Sequence, residues 1–390
     1  MQTPRISSTP LFGGLHRSTP SFGILTTYPP TACGIATFSA ALGKGLAANG
    51  AEVSVVRVAD GSACSSKVVI GELENGSARS VTTAAELLNR SDVAIVQHEY
   101  GLYGGADGDE VLDVLAGLRV PAIVIAHTIL SNPTPHQKSV LEAVASMADQ
   151  VIVMSQAAQS RLCNLFDVDP AIVSTIWHGA AIPPRRALHE PAARPVILTW
   201  GLIGPGKGIE RVIDAMASIH QLASRPRYLV AGQTHPRVLA ADGEAYRNAR
   251  IEQASRNGVS DSVFFDATYR DVDSLTALIQ SCSVVVLPYD TRDQVTSGVL
   301  VDAIAAGRPV VATAFPHAVE LLASGAGIVV DHDDPAALVD ALRRVLVEPG
   351  LAGAMAAEAS RLAPAMGWPV VARAYLGLAD HLLSKHPALV

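Results

Sequence analysis

Short uninterrupted apolar runs, each followed by a stretch with helical spacing, recur along most of the chain and restrict its fold more than any other feature. The first runs are "FGILTT" around Ile24 and Leu25, "EVSVVRV", "DVAIVQ", "PAIVIA" and "QVIVM". They are continuous rather than alternating, as expected for parallel strands covered by helices on both faces. Ile35, Phe38, Leu42 and Leu46 fall on one helical face, and residues 135–147 and 155–165 also read as helix. Strand and helix in alternation predict a doubly wound α/β layer.

A proline-rich stretch without periodicity, "PPRRALHEPAARP" at 183–195, interrupts the pattern and reads as a linker. A second series follows: "PVILTW", helix 209–222, "RYLVAG", "SVFFD", helix 271–281, "SVVVLP", helix 298–306, "RPVVAT", "AGIVV" and helix 335–347. The last helix, about 368–385, starts at Trp368 after a Pro/Gly break. With 390 residues the prior is two or three domains, and the pattern supports two of similar size. Residues 1–20, rich in Ser, Thr, Pro and Gly, are expected to be a flexible tail.

Composition excludes several classes. With 49% hydrophobic and 17% charged residues the chain is no disordered polyelectrolyte. A net charge of −7 argues against a nucleic-acid surface, which needs a basic footprint. Cys33, Cys64, Cys163 and Cys282 show no paired spacing, so neither a disulfide framework nor a zinc site is suggested, and a reducing cytoplasm is the simplest location. The apolar runs are far shorter than a membrane span, and the first residues lack the layout of a secretory signal.

Ligands of open α/β sheets bind beyond the carboxyl ends of the strands, and the distinctive residues collect there. "YPPTACGIA" follows the first strand, His98-Glu99-Tyr100-Gly101 another, and His127-Thr128 a third. In the second half "GLIGPGKG", Gly232-Gln233-Thr234-His235 and Tyr289 to Gly298 follow three more. Two such sheets facing each other would line one cleft from both sides. "GLIGPGKG" is the sharpest segment, because glycine-rich backbone at a helix start offers free N–H groups to an anion, and Lys207 adds a full charge. Its G-x4-G-K spacing also opens a P-loop, but Gly208 stands where that motif needs Ser or Thr for Mg²⁺. Thr296-Ser297-Gly298 leave free amides at another helix start, with Asp302 on that helix. Gly34 permits close backbone approach to a ligand. Each has a plainer reading: Lys207 in a tight turn, Gly34 as a cap, Asp302 as a surface acid, His98 and His127 as structural histidines, and Trp177-His178-Gly179 as domain packing.

Taken together, "YPPTACGIATF", "VQHEYGLYGGADG", "AHT", "WHGA", "GLIGPGKGIE", "VAGQTHP", "YRNARIEQ" and "TSGVLVDAIAAGRPVVAT" resemble the retaining glycosyltransferases of family 4, in the subgroup with QHE(F/Y)G and GxTHP motifs. The resemblance implies a GT-B fold: two facing Rossmann-like domains with parallel sheets and an interdomain cleft. Residues 21–182 plus 366–390 would form the N-terminal acceptor-side domain, and 196–365 the C-terminal nucleotide-sugar-binding domain. By the same resemblance Lys207, His127 and Gln294 would act on the transferred sugar and its leaving diphosphate. Gly34, Gly204, Gly206, Gly232, Thr296, Ser297, Gly298 and Asp302 would hold the donor, with Asp302 on the ribose hydroxyls. His98, Glu99 and Tyr100 are acceptor-side candidates, Glu99 being either a base or a strand-end acid paired with a neighbour.

The implied reaction moves a hexose, mannose or glucose favoured, from a nucleotide-diphosphate sugar to a carbohydrate, glycolipid or small-molecule hydroxyl with retention. No cofactor and no obligatory metal are expected, and a weak peripheral membrane contact is left open. Two positions depart from the family pattern. Leu202 stands where an arginine is common, so Arg270 or Arg292 would have to assist Lys207. Gln294 and Asp302 replace the acids of E-x7-E, and a glutamine cannot be a carboxylate nucleophile. Alternatives are an epimerase or phosphorylase on the same scaffold, a P-loop NTPase, and a non-catalytic nucleotide-sugar binder.

Overall fold

The computed structural model describes residues 19–184 and 194–385. The tail expected at 1–20, up to residue 18, and most of the linker expected at 183–195 lie outside the described residues. Seven strands form the first sheet: β1 (Phe22–Thr26), β2 (Val53–Val58), β3 (Val69–Leu73), β4 (Val93–His98), β5 (Ala122–Ala126), β6 (Gln150–Val153) and β7 (Val173–Thr175). Their order is β3-β2-β1-β4-β5-β6-β7, and all pairs are parallel. The second sheet holds β8 (Val196–Trp200), β9 (Arg227–Ala231), β10 (Val263–Asp266), β11 (Val284–Leu287), β12 (Val310–Thr313) and β13 (Gly327–Val330). It is likewise parallel, in the order β10-β9-β8-β11-β12-β13.

Both sheets reverse direction once, between β1 and β4 and between β8 and β11. Loops leaving the two strands at such a switch point diverge to opposite faces and open a crevice at the carboxyl edge. The segments that leave these four strands are those at Gly34, at His98–Tyr100, at Gly201–Gly208 and at Tyr289–Gly298. β1, β4, β5 and β8 are buried at every position, which is why their sequences carry no polar alternation. β3 and β7 are absent from the apolar runs for opposite reasons. β3 is an edge strand that alternates in exposure and contains Gly71 and Glu72, while β7 is only three residues long.

The end of the chain returns to the first sheet. Helix Leu351–Met366 belongs to the second layer, where Ala359 and Met366 pack with Leu300 and Ile304. The chain crosses at Gly367, where Ala180 N–H donates to Met366 O at 2.8 Å and Trp368 N–H to Ala180 O at 3.3 Å. Helix Trp368–Lys385 then lays Ala372, Tyr375 and Ala379 against Phe22, Leu42 and Leu46. Among the described residues no helix is long and apolar enough to cross a membrane.

Helix Gly34–Ala48 accepts the returning helix at Gly45, where a Cβ would stand 2.9 Å from the Trp368 carbonyl oxygen. Backbone cannot yield there as a flexible side chain would, so Gly45→Val should destabilise the protein by about 1–3 kcal/mol. Gly43 serves as the control, since its Cβ would meet only the Val53 side chain, at 3.5 Å. Gly43→Ala should leave stability unchanged or raise it slightly through helix propensity. Chemical denaturation compares the two, and equal midpoints would remove this helix contact as a constraint.

Candidate functional site

The Gly201–Gly208 turn joins β8 to helix Ile209–Ile219. Gly208, at the helix start, has φ of +64°, and a Cβ there would fall 1.7 Å from Pro288 O, so only glycine lets this turn lie against the loop after β11. Gly206 faces open space and accepts a hydrogen bond from Asp290 N–H at 3.0 Å, and Gly204 packs on Val238. Gly232 is required by the scaffold: a Cβ there would overlap Gly201 O. Lys207 Nζ stands 4.6 Å from the Tyr289 ring centroid. Among the described residues it has no carboxylate partner, and desolvation holds its pKa below the usual lysine value. The ring steadies the cation without neutralising it.

The second helix start singled out in the sequence is that of helix Gly298–Ala305. Ser297 is 2% exposed, and its hydroxyl caps the helix by accepting Leu300 N–H at 3.3 Å. Its own N–H donates to His317 Nδ1 at 2.8 Å. The expected free amide of Ser297 is therefore already used, and Gly298 and Val299 carry the free amides of this turn. Burial pushes the His317 pKa down to about 3, so the ring is neutral and accepts. Asp302 has no hydrogen-bond or ion-pair partner among the described residues, and burial pushes its pKa up to about 7. Gln294 Nε2 donates to Thr296 O at 3.0 Å, while the buried Thr296 hydroxyl has no partner.

On the first domain, Gly34 starts its helix with its Cβ direction open, next to the Cys33 thiol that caps Ala36 N–H at 3.3 Å. Phe38 is the hub of an aromatic cluster, edge-on to His127 at 5.1 Å, His178 at 5.0 Å and Trp368 at 5.1 Å. His127 Nε2 donates to Gln97 Oε1 at 2.5 Å, since that oxygen can only accept, which leaves Nδ1 as a lone pair. Burial first, and then His178 and His98, push its pKa down to about 3, so it too is neutral.

Of the acceptor-side candidates, only Glu99 is partly exposed. His98 is 1% exposed and turned to the opposite face of β4 from Gln97, where its ring meets Tyr100 at 5.2 Å. Tyr100 is buried in the core of the first domain. Both of these acceptor-side candidates are buried side chains, whereas Glu99 is partly exposed. Glu99 accepts from Tyr100 N–H at 3.1 Å and from the Thr128 hydroxyl, and burial raises its pKa. Arg270 and Arg292, the candidates to assist Lys207, each have a carboxylate partner: Arg270 pairs with Asp266, and the exposed Arg292 with Asp333 at 2.6 Å.

The two domains touch through His178 and Gly298, which the sequence had singled out, and through Glu320 and Arg237, which it had not. His178 Nε2 lies 2.9 Å from where a Cβ of Gly298 would sit. The Glu320 carboxylate accepts Gln156 N–H at 3.0 Å and Ala157 N–H at 2.9 Å, capping a helix of the opposite domain. Arg237 reaches over from the second domain toward Gly101, and its charge counters the burial of Glu99. Only their position across a fold-level interface makes Glu320 and Arg237 notable, and spacing along the chain does not encode that.

Comparison with known proteins follows the division into two domains. Residues 32–181 match the family described as Glycosyltransferase Family 4, and residues 194–348 match Glycosyl transferases group 1. The D-inositol 3-phosphate glycosyltransferase of Salinispora arenicola is 28% identical over 280 residues, covering 64% of this chain and 61% of that protein. The Frankia alni protein of the same name is 26% identical, covering 73% of each. Among solved structures, sucrose-phosphate synthase from Thermosynechococcus elongatus superimposes with a TM-score of 0.75 at 19% identity, over 94% of this chain and 100% of that one. Anabaena HepE in complex with UDP-glucose gives 0.69 at 17% identity, over 93% and 99%. The fold is GT-B, with two parallel-sheet Rossmann-like domains.

The contact between His178 and Gly298 is open to direct test. Gly298→Ala should cost about 1–2 kcal/mol by forcing the imidazole away. Placing the same change in a His178→Ala background should recover most of that loss. Additive effects of the two substitutions in thermal or chemical unfolding would show that the residues do not touch.

Proposed function

The chain joins a Glycosyltransferase Family 4 region to a Glycosyl transferases group 1 region on one GT-B scaffold, and from that premise we propose that it is a retaining hexosyltransferase. It moves a hexose, mannose or glucose favoured, from a nucleotide-diphosphate sugar to a hydroxyl of a carbohydrate, glycolipid or small-molecule acceptor in the cytoplasm. The observation that carries this reading is Lys207, a desolvated cation without a carboxylate partner, on a glycine-rich turn packed against the loop that leads to the Gly298 helix start. A UDP-glucose complex of a GT-B neighbour and an inositol-phosphate acceptor in the names of relatives support the same classes of donor and acceptor.

In this mechanism the bond between the anomeric carbon and the diphosphate oxygen breaks, and the electron pair leaves with the diphosphate. Lys207 and the amides of Gly298 and Val299 stabilise the charge that develops there, as preorganised donors do. His127, neutral with Nδ1 free, accepts from a sugar hydroxyl, and the Gln294 amide holds another. The acceptor oxygen attacks from the face that the diphosphate is leaving, so configuration is retained and the departing oxygen is beside the acceptor's proton. Asp302 accepts from the ribose hydroxyls. Charge at the leaving group is met by protein groups, so no obligatory divalent metal is part of the proposal.

The test is release of nucleoside diphosphate from a panel of GDP-, UDP- and ADP-sugars, with acceptors present and with EDTA throughout. Acceptor-dependent release from one donor class is expected, and binding without turnover would favour a non-catalytic nucleotide-sugar binder. A charge-assisted hydrogen bond contributes about 1.5–3 kcal/mol, so Lys207→Ala should slow turnover about 10- to 100-fold. Unchanged turnover would remove Lys207 from the role.

Asp302 makes binding depend on pH. Its carboxyl accepts on both oxygens only when ionised, and burial pushes its pKa up to about 7. As pH falls through that value the carboxyl protonates and the affinity for a nucleotide sugar should drop, whereas above it the affinity should level off. Asp302→Asn should bind more weakly at high pH and lose this dependence. Calorimetric titration between about pH 6 and 8 reads both, and a flat wild-type profile would place the ribose elsewhere.

A further inference from the structure

A single nitrogen of Arg161 bonds to both walls of the pocket assigned to the sugar. Arg161 lies on helix Gln156–Leu165, and its Nη1 donates to Ile129 O at 2.8 Å and to Asp293 O at 2.7 Å. Ile129 follows His127 by two residues in the first domain, and Asp293 immediately precedes Gln294 in the second. On the other side of Gln294, Val295 is buried in the core cluster of the first domain, and its carbonyl accepts the Ser155 hydroxyl at 2.5 Å. The segment bearing Gln294 is thus held at both flanking carbonyls by the opposite domain.

We propose that Arg161 is a positioning residue that sets the spacing between His127 and Gln294, and so discriminates a sugar-bearing nucleotide from the bare nucleoside diphosphate. The inference rests on the reading of His127 and Gln294 as sugar contacts. Its physical basis is the guanidinium: rigid, planar and permanently charged, it holds two carbonyls in fixed relation, where the flexible single ammonium of lysine would not. A shift of about 1 Å in such a pocket can cost 100-fold in rate. The diphosphate and ribose contacts assigned to Lys207, Gly298 and Asp302 do not involve Arg161, so its loss should spare them.

The experiment compares wild type, Arg161→Lys and Arg161→Ala for the affinity of the preferred nucleotide sugar, the affinity of the matching nucleoside diphosphate, and kcat. The expected result is diphosphate affinity within about twofold of wild type, with sugar-nucleotide affinity and kcat reduced about tenfold or more. Arg161→Lys should recover only part of the loss, and added guanidinium at millimolar concentration should partly rescue Arg161→Ala. Equal weakening of both ligands would overturn the inference, making Arg161 a general domain clamp; so would no change in either. If Arg161→Ala does not fold, the same ratio of affinities in Arg161→Lys decides between these outcomes. Failure of wild type to bind any nucleotide sugar is a separate result, which removes the transferase reading itself.

Discussion

Val295 lies in the sequence of the second domain but is buried in the core of the first. That one side chain fixes the loop after β11, and with it the start of the helix at Gly298. Around it the joint is made of backbone groups: Ser155 and Arg161 donate to carbonyls of the loop, and Glu320 receives amides from the opposite helix. Polar backbone that leaves a sheet edge must find partners when it is buried. Here the partners come from the other domain, so the cleft is shaped by an interface rather than by either sheet alone.

The placement of charge follows the same economy. Several arginines near the second sheet are already paired, Arg211 with Asp290, Arg270 with Asp266 and Arg292 with Asp333. Lys207 is held by a ring instead, and its charge remains available. Around the Gly298 helix start the histidines His127, His178 and His317 are all pushed down by burial to about 3 or 4 and stay neutral. Neutral imidazoles accept and donate hydrogen bonds without adding a charge that would compete with Lys207. In the proposed reading, a chain of net charge −7 holds its anionic ligand with very few cations.

The fold was legible because burial leaves a direct mark on sequence. Strands covered on both faces must be apolar throughout, and β1, β4, β5 and β8 read as such, whereas the alternating edge strand β3 and the brief β7 did not. The strand ends were legible too, because glycine, histidine and lysine are uncommon beside such runs. Side-chain direction was not. His98 and Glu99 are neighbours, yet His98, the last residue of β4, is buried and Glu99, just past the strand, is partly exposed. The amide of Ser297 looked free because its partner, His317, lies twenty residues further on. Arg161 and Glu320 had no signal at all, as the partners that make them matter, the Asp293 carbonyl and the Gln156 and Ala157 amides, lie across the domain interface.

If the proposed transferase reading holds, the two departures from the family pattern, Leu202 and Gln294, act as a pair. An arginine is absent at Leu202, which removes a positive charge from the diphosphate side. A carboxylate is absent at Gln294, which removes a negative charge from the sugar side. Either change alone would alter the field across the pocket by a full charge in a partly desolvated space, where such differences are strong. Together they nearly cancel, so the remaining cation at Lys207 no longer has an anion at position 294 to attract it away from a diphosphate. The glutamine also keeps the capacity to hydrogen-bond a sugar hydroxyl, which a simple apolar replacement would lose. On that reading the pocket would have fewer charges than the family pattern but a similar balance between them, and more of its binding would fall to backbone amides and neutral side chains whose positions the interdomain contacts fix.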